Sequence, residues 1–572
     1  MIILGISAYY HDSAAALIKD GVVIAAAAEE RFNRIKHYKG FPVQACSFCL
    51  KYALITIEDI DTVVFYEKPF LKFERIIRTH VNYAPKGLLT FLTAMPIWLK
   101  ERLNLRKTIT TEIRRAFHGE PKRITFCKHH LSHAALAYYT SPYDNCAVLV
   151  VDAVGENATT SIFKASKDDI ELVKFQQFPH SLGLLYSSFT YYLGFKVNSD
   201  EYKVMGLAAY GDEMSEEYKY YRKVIKENLV EIREDGSLNL RCKNFSFMYT
   251  DKMVNAEKWE KLFGFPKRDP KETIKDCHKN MALAIQRITE ETIERMVTNA
   301  RKTTGEENLC ISGGCGLNSA AIGRMKAISS TGTVYVPFAP GDDGAAIGCA
   351  LYVNATFSKE RERNNNPYLG PSYSNKEVAS ILDGKNAKYD YISDQGNLYE
   401  VISKEIAKGK IIGWFQGRME FGARALGNRS ILADPRNPKM KDIVNSKVKF
   451  RESFRPFAPA VLEEFADRIF EIDDEAPYMS ATHRLKNDAM ELPAVTHIDH
   501  TARVQTVSKQ LNEKFYRLLS SFNNLTGCPV LLNTSLNVMG EPIACSPADA
   551  YKTFMNSGID ILVINNFIIR KS

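Results

Sequence analysis

Ala147-Val148-Leu149-Val150-Val151-Asp152 is an apolar run that closes on a carboxylate. Five apolar residues bounded by polar ones read as a buried strand. A small polar loop follows over Asp152–Asn157, then a strand over Thr159–Lys164. A turn near Lys167-Asp168-Asp169 leads into a further strand, Ile170–Phe175. The chain begins with the same pattern: a strand over Ile2–Ser7, a second over Ala14–Lys19, the hairpin turn Asp20-Gly21, and a third over Val22–Ala28. The two copies start about 145 residues apart. Repetition at that distance predicts a duplicated α/β fold with a cleft between its halves.

Upstream of the second copy stands Lys128-His129-His130-Leu131-Ser132-His133-Ala134-Ala135. In a helix, His129 and His133 share one face about one turn apart, which is how two nitrogens reach one metal ion. Asp152, at the end of its strand, adds a carboxylate to that pair. The competing reading is a surface helix that happens to carry histidines.

Two glycine-rich junctions lie further on. Cys310-Ile311-Ser312-Gly313-Gly314-Cys315-Gly316-Leu317-Asn318 reads as strand, glycine turn and helix start. Backbone N–H groups at Gly313 and Gly314, with Asn318 beside them, suit a phosphate or an adenosine. Val334–Pro337 and then Pro340-Gly341-Asp342-Asp343-Gly344 form a strand and an acidic turn before a small-residue helix. Either junction alone is also what an ordinary tight turn looks like.

The bulk properties exclude several classes. At 572 residues, two or three domains are expected. A net charge of +8 is too weak at this length to argue for nucleic acid, and fits anionic substrates as well. The N-terminus lacks a basic region and does not read as a signal peptide. The longest apolar run, roughly Gly87 to Leu99, is broken by Pro96 and too short to span a bilayer. Eleven scattered cysteines form no disulfide framework. Cys46 and Cys49 lie in an amphipathic helix over Pro42–Tyr52 and read as buried thiols rather than a redox or zinc pair. A reduced, cytoplasmic setting with no membrane partner follows.

Residues 356–376 are polar and turn-rich, centred on Ser358-Lys359-Glu360-Arg361-Glu362-Arg363, and read as a linker. The expected domains are 1–360 and 361–572. The second concentrates arginine: Arg418, Arg424, Arg429, Arg436, Arg451 and Arg455. They stand among glycines and Phe421, Leu426, Phe450, Phe454 and Phe457, the setting of partly buried forks aimed at anions. Pairing with Glu420, Asp434 and Glu452 is the structural alternative. Near the C-terminus, Leu531-Leu532-Asn533-Thr534-Ser535-Leu536-Asn537 is a strand opening into polar groups. Ser535 and Asn537 alternate onto one side, as do Lys449 and Arg451.

Taken together the chain resembles, nearly end to end, the O-carbamoyltransferase family of antibiotic and nodulation-factor biosynthesis. The resemblance rests on Gly5-Ile6-Ser7 with His11-Asp12-Ser13, on Glu30–His37, and on the two-histidine motif. It continues through Glu201–Gly211, the arginine motif, Phe454–Pro459, Thr501-Ala502-Arg503-Val504-Gln505 and Asn533-Thr534-Ser535. Ala423, Leu536 and Cys315-Gly316 depart from the family pattern without removing a reactive group.

The resemblance implies two linked activities. The N-terminal domain would share the duplicated fold of actin, Hsp70 chaperones and sugar kinases, and is similar to tRNA threonylcarbamoyl transferases. The C-terminal domain resembles threonylcarbamoyl-AMP synthases through a Lys-x-Arg and Ser-x-Asn signature matching Lys449, Arg451, Ser535 and Asn537. That domain would make carbamoyl-AMP from carbamoyl phosphate and ATP, with Mg2+ as an accompanying ion. Arg418, Glu420, Arg424, Arg455, Arg503 and Asn533 belong to the same expected substrate site. The first domain would hold Fe(II) or another divalent transition metal on His129, His133, Asp152 and Asp342. It would pass the carbamoyl group to a hydroxyl of a small molecule or glycan.

His11 and Asp12, at the first hairpin, are candidates to activate or orient that hydroxyl, or only to stabilise a turn. Lys36 is a candidate for the adenylate phosphate, or a surface lysine. Residues 70–117, basic and aromatic, suit helical packing, an acceptor pocket or a dimer contact. A monomer or homodimer is expected. A tRNA threonylcarbamoyl transferase-like enzyme, a sugar-type kinase and a non-enzymatic ATP-dependent scaffold are the alternatives. The kinase gives no reason for His129 and His133, and the scaffold none for the lysine, arginine, serine and asparagine set.

Overall fold

The computed structural model describes residues 1–98, 103–167, 169–328, 333–358 and 362–571. Arg102, Asp168 and the linker residues Lys359-Glu360-Arg361 lie outside the described residues. Two compact units are present: residues 1–25 with 39–365, and residues 26–38 with 366–572.

The first unit contains two five-stranded sheets. One is built from β1 (Ile2–Ser7), β2 (Ala14–Lys19), β3 (Val22–Ala28), β4 (Thr62–Phe65) and β5 (Ile124–Phe126), in the order β3-β2-β1-β4-β5. The other follows β6 (Cys146–Val151), β7 (Ala158–Ser166) and β8 (Asp169–Gln177). After a small hairpin, β9 (Val230–Ile232) and β10 (Leu238–Leu240), it is completed by β11 (Leu309–Ser312) and β12 (Val334–Tyr335), in the order β8-β7-β6-β11-β12. The connectivity is the same in both. The first strand pairs antiparallel with the second and parallel with the fourth, and the fourth pairs parallel with the fifth. The duplicated α/β fold is therefore present, strand for strand.

The apolar runs follow from this placement. β1 and β6 are central strands with helices packed against them, and every residue of β6 is buried. β8 is an edge strand, and there most positions between Glu171 and Phe175 are exposed. The amphipathic helix Val43–Ala53 buries Cys46 and Cys49 on its inner face, as expected of core thiols. Among the described residues no two cysteines are joined by a disulfide.

The small-residue helix Ala345–Ala355 packs against both β1 and the helix His129–Thr140. Gly348 makes that approach possible: a Cβ there would fall 1.9 Å from the Ser132 carbonyl oxygen. Backbone cannot yield as a side chain can. Gly348→Ala should therefore destabilise the first unit by at least about 1–3 kcal/mol, the usual cost of overpacking. A urea unfolding midpoint indistinguishable from that of the parent would contradict this packing.

The second unit carries one eight-stranded mixed sheet. Its strands are β13 (Asp390–Tyr391), β14 (Ile412–Phe415), β15 (Arg429–Ala433), β16 (Ala458–Leu462), β19 (Gln505–Val507), β20 (Val530–Ser535), β21 (Ile561–Ile564) and β22 (Phe567–Arg570). The order is β13-β22-β21-β14-β15-β20-β16-β19. A separate pair, β17 (His483–Arg484) and β18 (Thr501–Ala502), precedes Arg503. The core is aliphatic and aromatic, with Trp414, Phe415, Phe470 and Phe515 almost wholly buried.

Residues 26–38 differ from the expected boundary, belonging with the second unit rather than with 1–360. Arg31 donates to the Gly422 carbonyl, and Arg34 donates to those of Pro542 and Ile543. Phe32 packs against Met419, Ala425, Ile543 and Cys545. Such long-range carbonyl pairing leaves no periodic signal in a sequence. Among the described residues no helix is long and apolar enough to cross a membrane.

Candidate active site

Three elements of the first unit converge on one buried cluster. The helix His129–Thr140 presents two imidazoles from its first turns. His129 Nε2 lies 3.1 Å from His133 Nε2 and 3.1 Å from Asp152 Oδ2, just past the end of β6. Asp342 Oδ1, on the acidic turn after β12, lies 3.4 Å from His133 Nε2 and 3.7 Å from His129 Nε2. One ligand atom from each of the four residues falls within 4.8 Å of the others, and all four side chains are buried.

Neighbouring backbone holds the cluster in place. Asp152 Oδ1 accepts from the Gly314 N–H, and Glu156 accepts from the N–H groups of His129 and Lys68. Gly313, at φ +88°, brings the turn so close to β6 that a Cβ would sit 2.4 Å from the Val151 carbonyl oxygen. The glycine junction therefore serves the carboxylate as well as any ligand. Asn318 pairs with Gln286 and caps the helix Ser319–Ile328 through the Ala321 N–H.

The electrostatics follow from two carboxylates buried together. Burial disfavours the charged form of His129, but Asp342 and Asp152 outweigh it and push its pKa up to about 9. His130 points away, with Nδ1 2.7 Å from Ser161 Oγ; burial, and then His129 beside it, pull its pKa down to about 3. His133 Nδ1 and His129 Nδ1 have no hydrogen-bond partner, so both rings offer Nε2 inward without a competing demand. Two imidazoles with two carboxylates form a borderline N/O donor set that suits Fe(II), Mn or Zn. The residues present fit the expected metal.

His11 stands beside this cluster, on the loop between β1 and β2. Its Nε2 is 3.7 Å from Asp342 Oδ2, and its Nδ1 is 2.9 Å from Asp12 Oδ2. Burial opposes protonation, yet Asp342 and Asp12 push its pKa up to about 9. The loop is strained, with Tyr9 at φ +72° and Asp12 at φ +52°. Tyr10, whose ring centroid is 4.4 Å from that of His11, is a neighbour that the sequence analysis did not single out. Glu156 was missed as well; an acidic residue four positions after Asp152 carries no signal of its own.

A second cluster lies in the second unit. Lys449 is buried, and its Nζ donates to Asn537 Oδ1 at 2.7 Å, the Ser535 carbonyl at 2.8 Å, the Asn537 carbonyl at 2.9 Å and Ser535 Oγ at 3.2 Å. The lysine, serine and asparagine of the signature thus come together from a π-helical turn and the end of β20. Burial, then Arg451, Arg455 and Lys36, push the Lys449 pKa well down, while the four oxygens hold its ammonium in place. Burial likewise lowers the Arg503 pKa, with Arg424, Arg451 and Arg455 adding to it, and Arg503 Nε is buried without a partner. Arg451 lies over the Phe457 ring at 4.5 Å and donates to Asn445 Oδ1. Asn533 bonds to Gln505 and the Ala425 carbonyl, and its Oδ1 is an unpartnered buried acceptor.

Other members of the arginine group have structural partners. Arg429 is fully buried, stacks 3.5 Å over the Phe415 ring, and donates to the carbonyls of Gln416, Asn428, Pro371 and Gly417. Arg436 forms a bidentate pair with Asp434. Arg418 donates to the carbonyls of Leu369 and Gly370. Glu420 Oε1 accepts from the N–H groups of Leu426, Asn428 and Arg429, shaping the loop that carries Arg424. Arg451, Arg455 and Lys36 stand in electrostatic range of Lys449, and Arg424, Arg451 and Arg455 in range of Arg503. Glu452 is 3.7 Å from Arg455. Cations held close to one another are a chemistry that suits an anionic ligand.

The fold is a two-unit α/β protein with two imidazoles and two carboxylates that could hold a metal ion in one unit and a group of cations in the other. Residues 2–351 match the family described as Carbamoyltransferase N-terminus, and residues 403–571 match Carbamoyltransferase C-terminus. The chain belongs to the carbamoyltransferase family and is an enzyme of that class. It is 43% identical over 602 aligned residues to the Synechocystis protein sll1178, covering 100% of this chain and 97% of that protein. It is 34% identical to the nodulation protein NolNO of Sinorhizobium fredii, covering 98% of this chain and 79% of that one. With nodulation protein NolO of Bradyrhizobium diazoefficiens it shares 35% identity over 77% of this chain and 78% of that protein.

Proposed function

We propose that the protein is an ATP-dependent O-carbamoyltransferase of the cytoplasm whose two activities divide between its two units, residues 1–25 with 39–365 and residues 26–38 with 366–572. The second region forms carbamoyl-AMP. Carbamoyl phosphate is cleaved with water to phosphate and carbamate, and a carbamate oxygen then displaces pyrophosphate from the α-phosphorus of ATP. The observation that carries this reading is buried Lys449 held on the Ser535 and Asn537 end of β20, with Arg451, Arg455 and Lys36 in electrostatic range of it and the same two arginines, with Arg424, in range of Arg503. Charge develops on phosphate oxygens in both steps, and fixed cations stabilise it. Lys36 belongs to this site, while Arg418 and Glu420 position its loop.

The first region transfers the carbamoyl group to the hydroxyl of a small molecule or glycan. His129, His133, Asp152 and Asp342 hold a divalent transition metal, Fe(II) foremost, which when bound supplies Lewis-acid polarisation of a carbonyl or phosphoryl oxygen. His11 takes the proton of the acceptor hydroxyl, held in orientation by Asp12. Gly313 and Gly314 shape the turn beside this cluster, their N–H groups donating to the Pro340 carbonyl and to Asp152.

Labelled carbamoyl phosphate with ATP tests the reading. Pyrophosphate and carbamoyl-AMP are the expected products, and release of ADP instead would mark a kinase. His11→Ala should slow transfer from supplied carbamoyl-AMP by about 10²–10⁴-fold while adenylate formation continues. A base works only once deprotonated. Because Asp12, bonded to its Nδ1, favours the protonated ring, transfer should rise with pH until His11 is deprotonated. That limb should vanish in His11→Ala; an unchanged pH profile would remove His11 from proton transfer.

A further inference from the structure

The helices Pro69–Tyr83 and Leu88–Ile97 leave apolar side chains in solvent. Phe70, Leu71, Val81, Leu88, Leu89 and Leu92 are all exposed, with Phe70 at 68%, Val81 at 67% and Leu89 at 81%. Phe70 and Val81 are eleven positions apart, about three helical turns, and so share a face; Leu88 and Leu92 share another. The two helices already satisfy each other elsewhere. Phe91 stacks on His80 at 3.8 Å between ring centroids, and Trp98 meets Phe73 at 6.1 Å. The outer apolar residues are surplus to that packing.

Charge identifies what covers them. Residues 68–107 contain nine Lys and Arg against two Glu, a net +7 of the +8 carried by the whole chain. Arg78, Lys86, Arg106 and Lys107 are exposed, and among the described residues of this stretch Glu74 is the single exposed acid. Exposed apolar side chains and exposed cations on one stretch of chain are complementary to a surface that is apolar inside and negative at its rim. A second copy of the chain would set +7 against +7. The ten-residue helix Leu88–Ile97 is too short to span a bilayer but long enough to lie in its interface.

We propose that this helical pair docks the protein on an anionic lipid bilayer, with Leu88, Leu89 and Leu92 in the headgroup boundary. The contact proposed is peripheral, since among the described residues no helix is long and apolar enough to cross a membrane.

Flotation with vesicles made from equal parts of phosphatidylcholine and phosphatidylglycerol tests the idea, beside vesicles of phosphatidylcholine alone. The intact chain should float with the anionic vesicles, more weakly with the neutral ones, and less as salt rises. Leu89→Glu/Leu92→Glu should weaken binding by about tenfold or more, with an unchanged thermal unfolding midpoint. Should that double variant unfold early, Arg78→Glu/Lys86→Glu serves in its place, with the same expectation. Equal binding to both vesicle types, or variants that float like the parent, would overturn the proposal. So would a dimer in sedimentation equilibrium that the apolar double variant dissolves, since the face would then belong to a second copy.

Discussion

Lys449→Ala should stop formation of carbamoyl-AMP from carbamoyl phosphate and ATP, lowering the rate by at least about 10²–10³-fold. Burial and three neighbouring cations make Lys449 costly to keep charged, yet four oxygens of Ser535 and Asn537 hold its ammonium between 2.7 and 3.2 Å. A bound polyphosphate would repay that cost, because each added negative charge favours the protonated amine. Alanine removes the cation and leaves Ser535 and Asn537 facing Arg451 with no charge between them. Lys449→Arg should not rescue the rate, because a planar guanidinium does not fit a nest of four oxygens shaped around one ammonium. Chemically supplied carbamoyl-AMP should restore transfer in both variants. A folded Lys449→Ala protein that still releases pyrophosphate at the parental rate would place the anion site elsewhere.

How much of this is legible in the sequence depends on the range of the interaction. β1 to β3 and β6 to β8 announce themselves because each is local: an apolar run, a turn and a period are contained within thirty residues. The spacing of His129 and His133 is likewise local. Asp342 joins them from more than two hundred residues away, and enters through family resemblance rather than through spacing. Within the arginine group, sequence leaves open which side chains are structural and which face an anion. The distinction is made by backbone carbonyls, which any residue supplies. Arg429 meets four of them and is spent on structure, whereas Arg503 Nε meets none. Residues 26–38 escape the sequence boundary for the same reason. Arg31 and Arg34 hold to carbonyls of residues 422, 542 and 543, and no composition shift marks that contact.

His129→Ala/His133→Ala should remove the metal and abolish carbamoyl transfer while leaving carbamoyl-AMP formation intact. The two imidazoles supply both nitrogen donors of the cluster, with Nε2 atoms 3.1 Å apart. Without them only Asp152 and Asp342 remain, and a transition metal loses the borderline ligands that favour it over Mg2+. The loss also bears on stability. Two buried carboxylates stripped of their partners cost about 3–5 kcal/mol when the partner charge of a buried pair is removed, so the variant should unfold earlier than the parent. Asp342→Asn separates these effects. It removes one carboxylate and its repulsion of Asp152 but keeps both imidazoles, so it should weaken metal binding with a smaller stability loss. Metal content by mass spectrometry of the acid-digested protein, transfer from supplied carbamoyl-AMP, and pyrophosphate release from ATP give three independent readings. A double-histidine variant with about one metal per chain and undiminished transfer would show that these residues pair with Asp152 and Asp342 for structure alone. Loss of all three readings together would mean that the second unit depends on the first for its own chemistry.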